Sequence, residues 1–366
     1  MTTMRRIGHA LLLAAMVIAL VGCGKSTGRT LTSATGSIYE CLVVMNDAPL
    51  TQEQVNEVAK LSLVNEASGY TKPIASLYEL VEAVMGADMP CMPQMEPYFR
   101  LTRVATAQFD DMFKPTRNIL FVDINPQKYT QLKTKVSNDY WSTPQAICRI
   151  QSPSEEAFVA YWLEHGEEIR EWFVNQEIKR QMKFYRASTN KQARAILQKQ
   201  GYDMLIPEDY IVIMDTSLTD VHLLWCCNNK GTMRRDLVVY TYPYTDKNTF
   251  TLDYLNAKRD EVLGSVVSAS VEGSYMGTEY KVFPPQMRAI TVQGDEYATE
   301  VRGLWKILNG EAMGGPYVSH TRLDQVNGRV VTAETFLYAA GQKKRTALRQ
   351  AEAILYTLQL PQDTIK

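Results

Sequence analysis

The chain has 366 residues, 45% of them hydrophobic, which is enough to bury the cores of about two domains. Lysine and arginine number 39 against 40 aspartate and glutamate, and the formal net charge is −1. This balanced composition argues against nucleic acid as a partner, because binding to phosphates calls for a marked basic excess.

Residues 1–22 have the features of a signal peptide. Arg5-Arg6 form a short basic region, and an apolar run of 12 residues at 10–21 follows. That run is too short to span a bilayer as a helix, which needs about 20 residues. The sequence Leu-Val-Gly-Cys at 20–23 resembles the lipobox that a lipoprotein signal peptidase recognises. We therefore predict cleavage before Cys23 and lipid attachment to its thiol.

Residues 23–37 form the predicted tether between the lipid and the fold, because beyond Cys23 they are mostly small and polar. Position 24 is a glycine, whereas an aspartate there would resemble an inner-membrane retention signal. No acidic cluster follows Cys23, so nothing resembles a surface-export tag. We expect the protein on the outer membrane, lipid-anchored and facing the periplasm.

Strands and helices alternate over residues 38–186, which we interpret as an N-terminal α/β domain. The predicted strands are Ile38–Met45, Tyr98–Val104, Asn118–Ile124 and Ala146–Ile150, and the predicted helices cover about 51–66, 74–85, 106–113 and 153–186. Asn118–Ile124 is the most apolar strand and is expected at the centre of a sheet. The long last helix is expected to begin in a capping box at 152–155, with proline at its first position.

Residues 187–366 form a second predicted domain, in which strands are grouped and followed by helices. The predicted strands are Met204–Met214, His222–Cys227, Leu237–Tyr244, Met287–Val292, Tyr297–Ile307, Tyr317–Leu323 and Arg329–Tyr338, and the helices cover about 190–200, 250–263 and 343–358. The fold class is therefore α+β. It has two α/β-type units, the second an antiparallel sheet with flanking helices that resembles a PsbP-like fold.

Polar and apolar residues alternate along much of the predicted strand Tyr297–Ile307. This pattern is typical of an antiparallel strand with one buried face and one solvated face. It predicts that Glu300, Arg302 and Lys306 face solvent. His320, on the following strand, is expected to have a local structural role, and Arg259-Asp260 is expected to form a surface or interdomain ion pair.

Five cysteines remain after Cys23, and an odd number leaves at least one free or paired between chains. A disulfide among Cys41, Cys91 and Cys148 is left open. The adjacent residues Cys226-Cys227 are expected on opposite sides of one strand, where a bond between them would be strained. No pair of histidines stands at ligand spacing and no CxxC motif is present, so we predict no metal.

The sequence has no GxSxG elbow, no HExxH motif and no dinucleotide-binding fingerprint. The acidic pairs 110–111, 155–156 and 167–168 are adjacent on predicted helices, and adjacent helical residues do not converge on one substrate. We therefore assign no catalytic residue and no cofactor. A carboxylate-based periplasmic hydrolase, assembled from residues distant in sequence, is kept as an alternative.

Tyr240, Tyr242 and Tyr244 alternate along one predicted strand, so their rings should share a face. Asp246 follows in a polar turn, and the glycines Gly314-Gly315 are expected in a loop that allows close backbone approach. We take these residues as a candidate binding face for envelope proteins or glycans. The competing interpretation is that the rings fill a core beneath a helix. In both cases Tyr244 should be the most exposed ring and Tyr240 the most buried.

Several strings taken together resemble the Domain of Unknown Function family 4837 (DUF4837), a family of lipoproteins of Gram-negative bacteria. These strings are RNILFVDI at 117–124, YTYPYTD at 240–246, EGSYM at 272–276, RGLW at 302–305, MGGP at 313–316, RQ at 349–350 and EAILY at 352–356. The resemblance spans about residues 38–360. It implies the envelope location and a two-part organisation, and it supplies no catalytic residue.

Two further alternatives to an enzyme follow from these observations. The first is a structural or interaction lipoprotein of the envelope, which the lipobox and the resemblance favour. The second is a ligand- or glycan-binding module that uses the tyrosine face. Unpaired carboxylates in a deep cleft would favour the hydrolase instead.

Overall fold

The computed structural model describes residues 30–62, 73–292 and 296–364. The predicted signal peptide and the first part of the tether, including Cys23, lie outside the described residues. Within the described part of the chain, no helix is both long and apolar enough to cross a membrane.

The first half of the fold is a mixed sheet with helices. Its strands are β1 (Thr32–Ser33), β2 (Glu40–Val44), β3 (Arg100–Val104), β4 (Asn118–Ile124), β5 (Lys133–Asn138), β6 (Ser142–Thr143) and β7 (Ala146–Ser152), and its helices are α1 (Gln52–Ser62), α2 (Leu77–Met85) and α3 (Glu155–Ala187). Five strands pair in the order β3-β2-β4-β7-β5, and all pairs are parallel except β5 with β7. β1 and β6 form a separate short parallel pair.

Strand β4 lies at the centre of the five-stranded sheet, as predicted. Its first five residues are all buried, which is typical of a parallel strand covered on both faces. The antiparallel edge strand β5 was not predicted, because its residues are mostly polar and exposed. Residues 106–113 were predicted as a helix, but only a short 3-10 turn forms, at Thr106–Gln108.

The long helix α3 begins at a serine cap, although not at the predicted one. The side chain of Ser154 accepts a hydrogen bond from the Ala157 amide at 3.2 Å. Glu155 and Glu156 stand in the first turn, where negative charge is stabilised by the helix dipole. The Ser152 hydroxyl instead donates to the Ser154 carbonyl at 2.8 Å, so the predicted capping box at 152–155 is wrong.

The second half is an eight-stranded antiparallel sheet with three helices. Its strands are β8 (Ile211–Leu218), β9 (Val221–Asn228), β10 (Arg234–Pro243), β11 (Tyr275–Glu279), β12 (Gln286–Thr291), β13 (Tyr297–Leu308), β14 (Gly314–Asp324) and β15 (Arg329–Tyr338), and its helices are α4 (Lys191–Lys199), α5 (Leu252–Val266) and α6 (Arg345–Leu355). The order is β11-β13-β14-β15-β10-β9-β8, with β12 also paired to β13. The α+β class is confirmed, whereas the likeness to a PsbP-like fold stays a prediction.

The two faces of the antiparallel sheet are covered by different helices. Leu255 and Val262 of α5 pack with Tyr240 and Trp305 on one face. The other face belongs to a buried cluster that includes Trp162 and Phe173 of α3, Leu224 of β9, Val331 of β15 and Ile354 of α6. Each such side chain contributes about 1.5–3 kcal/mol when fully buried. This cluster joins the two halves, because α3 packs against β4 and β7 of the first sheet and also directly against α6 of the second half.

The two larger sheets share no strand, since the first ends with β7 and the second begins with β8. The predicted boundary near 186–203 falls between them. Because one buried cluster connects the halves, the division into two separable domains stays a prediction.

All five cysteines of the described residues are free and buried. Cys226 lies in the cluster beneath α6, whereas its neighbour Cys227 faces the other side of β9 near Asp236. The expected opposite orientation of the adjacent pair is therefore confirmed. Burial raises the pKa of the Cys148 and Cys226 thiols to about 12, so both stay protonated and unreactive.

Candidate functional site

Two of the three tyrosines of the candidate binding face are core residues. Tyr240 and Tyr242 are only 2% and 3% exposed, and their rings stack at a centroid distance of 6.2 Å. Tyr242 also packs against Tyr254 of α5 at 6.3 Å. Desolvation by burial raises the pKa of both phenols. Their interpretation as an exposed face is wrong, because α5 covers this side of the sheet.

Tyr244 follows the end of β10 and is partly exposed, so the predicted order of exposure along the three rings holds. Its ring lies 6.3 Å from that of Phe250. Asp246 is exposed and caps the 3-10 turn Lys247–Phe250 by accepting a hydrogen bond from the Asn248 amide at 2.7 Å. Asp246 therefore shapes the turn, and its carboxylate is already engaged by the backbone.

Gly314 and Gly315 lie within strand β14 and not in a loop, which corrects the prediction. Tyr240 of β10 pairs with Thr332 of β15, and Thr332 pairs in turn with Thr321 of β14. Gly315 is six residues from that level, or about 20 Å along the strand at 3.3 Å per residue. The structure therefore does not bring these glycines to the tyrosines. Close backbone approach does occur at Gly315, but between strands of the protein itself.

A surface groove nonetheless opens beside Tyr242. We call it the Tyr242 groove; it has a volume of about 610 Å³ and is formed by the β8–β9 turn, the end of β10 and the exposed side of α5. Its lining residues include Leu218, Val221, Tyr242, Tyr254, Lys258 and Glu261. The Lys258 ammonium pairs with Glu261 at 2.6 Å and lies 5.6 Å from the Tyr242 ring centroid. The groove thus combines aromatic walls with one ion pair at its rim.

A buried group of charged side chains lies between α6 and the antiparallel sheet, and we call it the Arg302 cluster. It consists of Glu300 and Arg302 of β13, His320 of β14, and Arg349 and Glu352 of α6. Glu300 and Arg302 are 1% and 5% exposed, so the prediction that they face solvent is wrong. The alternation along β13 is correct, but α6 covers the polar face.

Arg302 connects the two carboxylates of the Arg302 cluster. Its guanidinium binds Glu300 through Nε at 2.8 Å and Nη2 at 3.0 Å, and Nη2 also contacts Glu352. Arg288 adds a third contact to Glu300 at 2.6 Å, and Arg349 lies 3.1 Å from Glu352. Burial opposes the ionisation of Glu300, but Arg302, His320 and Arg288 hold its pKa well below the usual range.

Glu300, His320 and Glu352 also place potential metal-ligand atoms within 4.8 Å of one another. A cation does not fit this position, because guanidinium groups already engage both carboxylates and three arginines surround them. The His320 ring stands edge-on to Tyr356 at 4.7 Å, and its Nε2 is 3.4 Å from Glu300. Charge balance therefore favours an ion-pair network with a structural role.

A second buried ion pair lies on the opposite face of the sheet, beneath α5. Both Nε and Nη2 of Arg259 contact Glu334, at 2.9 and 2.8 Å. Arg259 also donates to Thr278 at 3.0 Å and lies 3.8 Å above the Tyr317 ring. The expected ion pair between Arg259 and Asp260 does form, at 3.5 Å. Its expected location at the surface or between domains is wrong, since Arg259 is 2% exposed and its main partner is Glu334.

One contact between the halves was not predicted at all. The Glu96 carboxylate, from the segment before β3, accepts hydrogen bonds from the Lys344 and Arg345 amides at 2.6 and 2.9 Å. It thereby caps α6 from a distance of 248 residues in sequence. A cap from so far along the chain has no local sequence signal, whereas the usual cap is a neighbouring side chain.

The fold and these sites define an α+β protein with a mixed sheet, an antiparallel sheet and buried arginine–carboxylate networks. Residues 188–357 match the family model described as Domain of unknown function (DUF4837). Residues 58–186 match a second family model, Domain of unknown function (DUF8532). A comparison with curated proteins finds no match. The resemblance was therefore correct in family but too wide in extent.

Proposed function

We propose that this protein is a lipid-anchored lipoprotein of the outer membrane, whose folded part is a structural or interaction module facing the periplasm. The observation that carries the proposal is the N-terminal order of a basic pair, an apolar run of 12 residues and the sequence Leu-Val-Gly-Cys at 20–23. Attachment of lipid at Cys23 would leave residues 24–31 as a polar link to β1. Stable anchoring needs more than one acyl chain, which lipoprotein maturation supplies.

The state of the remaining cysteines is compatible with an envelope location. Cysteine persists as a free thiol in an oxidising compartment only if it is shielded, because exposed thiolates react. The five thiols of the described residues are all buried. Burial and the raised pKa values described above fit a chain that avoids disulfide exchange in the periplasm.

Cys23→Ser is expected to abolish lipid attachment and to release the protein from membranes, because serine offers no thiol for diacylglycerol. The measurements are membrane fractionation and the mass of the intact protein, with and without globomycin. The matched control combines Cys23→Ser with Ser26→Cys, which restores a cysteine outside the lipobox and should not restore anchoring. Unchanged fractionation and mass in Cys23→Ser would contradict the proposal.

A second candidate function, ligand or glycan binding, is favoured by the Tyr242 groove. Aromatic rings with polar edges are suited to sugars, because they present an apolar face and a hydroxyl together. Tyr254 is partly exposed on α5 and lies beside Tyr242 in the groove wall. The candidate binding site is thus again formed by tyrosines, but it lies at the edge of the Tyr242 groove.

Tyr254→Ala is expected to weaken binding of a soluble N-acetylglucosamine tetramer about tenfold, equivalent to about 1.4 kcal/mol. Titration calorimetry measures this, and thermal unfolding checks that the fold is intact. The control is Tyr140→Ala, which removes a tyrosine that is 58% exposed in the first half and outside the groove. Equal binding by both variants, or none by the unaltered protein, would exclude this glycan.

A further inference from the structure

A separate pocket lies where the two halves of the fold meet. It has a volume of about 360 Å³ and is formed by the last turns of α3, the segment 207–210, the adjoining ends of β9 and β10, and α6. Its lining residues include Phe184, Tyr185, Asp209, Tyr210, Asn228 and Arg235. We call it the Arg235 pocket. It is distinct from the Tyr242 groove, which lies on the other face of the sheet.

The strand register explains why Arg235 faces this pocket. Arg235 stands directly opposite Asn228 of β9 and Leu337 of β15, so these three side chains share a face. Leu337 belongs to the cluster beneath α3 and α6. The Arg235 side chain therefore lies on the same face of the sheet as this cluster. It lies at the edge of the cluster, where α3 and α6 leave the pocket open.

Arg235 lacks the carboxylate partner that its neighbour has. Arg234 points to the other face and binds Asp236 through Nε at 2.8 Å. For Arg235, no carboxylate of the described residues lies within ion-pair distance, and its Nε is buried without a hydrogen-bond partner among them. The nearby Asp209 is engaged by Asn228, whose amide donates to it at 2.6 Å. A buried guanidinium nitrogen without a partner is costly, and an anion in the pocket would satisfy it.

The lining of the pocket limits the charge of that anion. Glu208 and Asp209 also line the pocket, and their negative charge opposes a dianion such as phosphate. A single guanidinium matches a single carboxylate, which it can bind in a bidentate manner. Burial raises the pKa of Tyr185 and Tyr210, so both phenols remain neutral beside the ligand.

The mouth of the pocket is apolar. Phe184, on the last turns of α3, lines the pocket and is 67% exposed. A large apolar side chain exposed in the lining of a pocket indicates a surface that a ligand can cover.

We propose that the Arg235 pocket binds a carboxylate that carries an apolar group, with the carboxylate on Arg235 and the apolar group against Phe184. Two sources share this chemistry: the C-terminal residue of a peptide and a free organic acid. The proposal depends neither on the lipid anchor nor on the Tyr242 groove.

The test is calorimetric titration of the full-length protein, purified in detergent, with two acids and their amides. N-Acetylphenylalanine represents a peptide C-terminus and phenylacetate a free acid; N-acetylphenylalanine amide and phenylacetamide lack the charge. We expect saturable binding of at least one acid and at least tenfold weaker binding of its amide. The tighter acid identifies the source. Binding of neither acid, equal binding of acid and amide, or equally tight binding of inorganic phosphate would overturn the proposal.

Arg235→Gln should weaken binding of the acid at least tenfold, because it removes the cation and keeps much of the side-chain length. The matched control is Arg186→Gln, which makes the same charge change at an exposed position of the last turn of α3, outside the pocket lining. If Arg235→Gln bound the acid as tightly as the unaltered protein, the proposal would be contradicted.

Phe184→Ala provides a variant whose folding is not in question, since the ring is mostly exposed. It should weaken the acid severalfold and preserve the preference for acid over amide. Unchanged affinity in this variant would count against the apolar part of the proposal, and a lost preference would count against Arg235 as the carboxylate partner.

Discussion

Arg302→Ala is expected to lower the free energy of unfolding by about 3–5 kcal/mol, the usual loss when one partner of a buried ion pair is removed. Arg302 is the group that binds both Glu300 and Glu352 in the Arg302 cluster. Without it, Glu352 keeps Arg349 and Glu300 keeps Arg288, but each carboxylate loses a contact in a position that water does not reach. The loss should therefore exceed that of any exposed pair in the chain.

Urea unfolding followed by tryptophan fluorescence measures this loss. The control is Lys114→Ala, which breaks the pair with Asp111, whose side chain is 91% exposed. Exposed pairs contribute about 0–1 kcal/mol, so this variant should differ little from the unaltered protein. A loss below 1 kcal/mol for Arg302→Ala would show that the cluster does not stabilise the fold.

The same experiment has a pH dependence whose sign follows from Glu300. Its pKa is depressed in the folded protein, mainly because Arg302 outweighs the effect of burial. The resulting stabilisation is present above the unfolded-state pKa of about 4.3 and is lost as the pH falls through the lower folded-state value. The difference between Arg302→Ala and the unaltered protein should therefore be full at pH 7 and shrink below about pH 4.

Local sequence patterns correctly predicted those elements whose hydrophobic periodicity or turn residues match the fold. The apolar run Asn118–Ile124 forms the central strand β4, and the helix predicted over about 153–186 is α3. The turn at Asn327-Gly328 joins β14 to β15, and Gly328 has the positive φ of 61° that such a turn requires. In each case the signal lies within a few residues of the structure it specifies.

The sites depend instead on which element covers which face, and that information is not local. Alternation along β13 correctly separated Glu300 and Arg302 from Val301 and Trp305. It could not show that α6, about fifty residues later, would cover the charged face. Charges on a sheet face normally indicate solvent, and only their pairing with arginine and glutamate of a helix makes burial tolerable.

The tyrosine face was misjudged for the same reason. The rings of Tyr240 and Tyr242 do share a face, but α5 supplies the core that surrounds them. Arg235 was not singled out in the sequence, because an arginine on a strand is unremarkable there. Its significance comes from the structure, which shows a pocket beside it and no carboxylate partner among the described residues.

Gly315→Ala is expected to lower the free energy of unfolding by about 3 kcal/mol, at the upper end of what overpacking usually causes. A Cβ atom at Gly315 would lie 2.0 Å from the carbonyl oxygen of Leu337 on the neighbouring strand β15. That oxygen also accepts a hydrogen bond from the Trp305 indole at 3.0 Å. Because the clashing atom belongs to the backbone, no change of rotamer relieves it, and β14 and β15 must separate locally.

The measurement is chemical unfolding together with near-ultraviolet circular dichroism, which reports the environment of Trp305. The control is Gly231→Ala, at a turn where a Cβ atom would have no neighbour within 4 Å. Gly231 has a φ of 80°, so alanine there is strained in its backbone alone and should cost about 1 kcal/mol. If Gly315→Ala lost no more stability than Gly231→Ala, the close approach of the two strands would not be what requires glycine at this position.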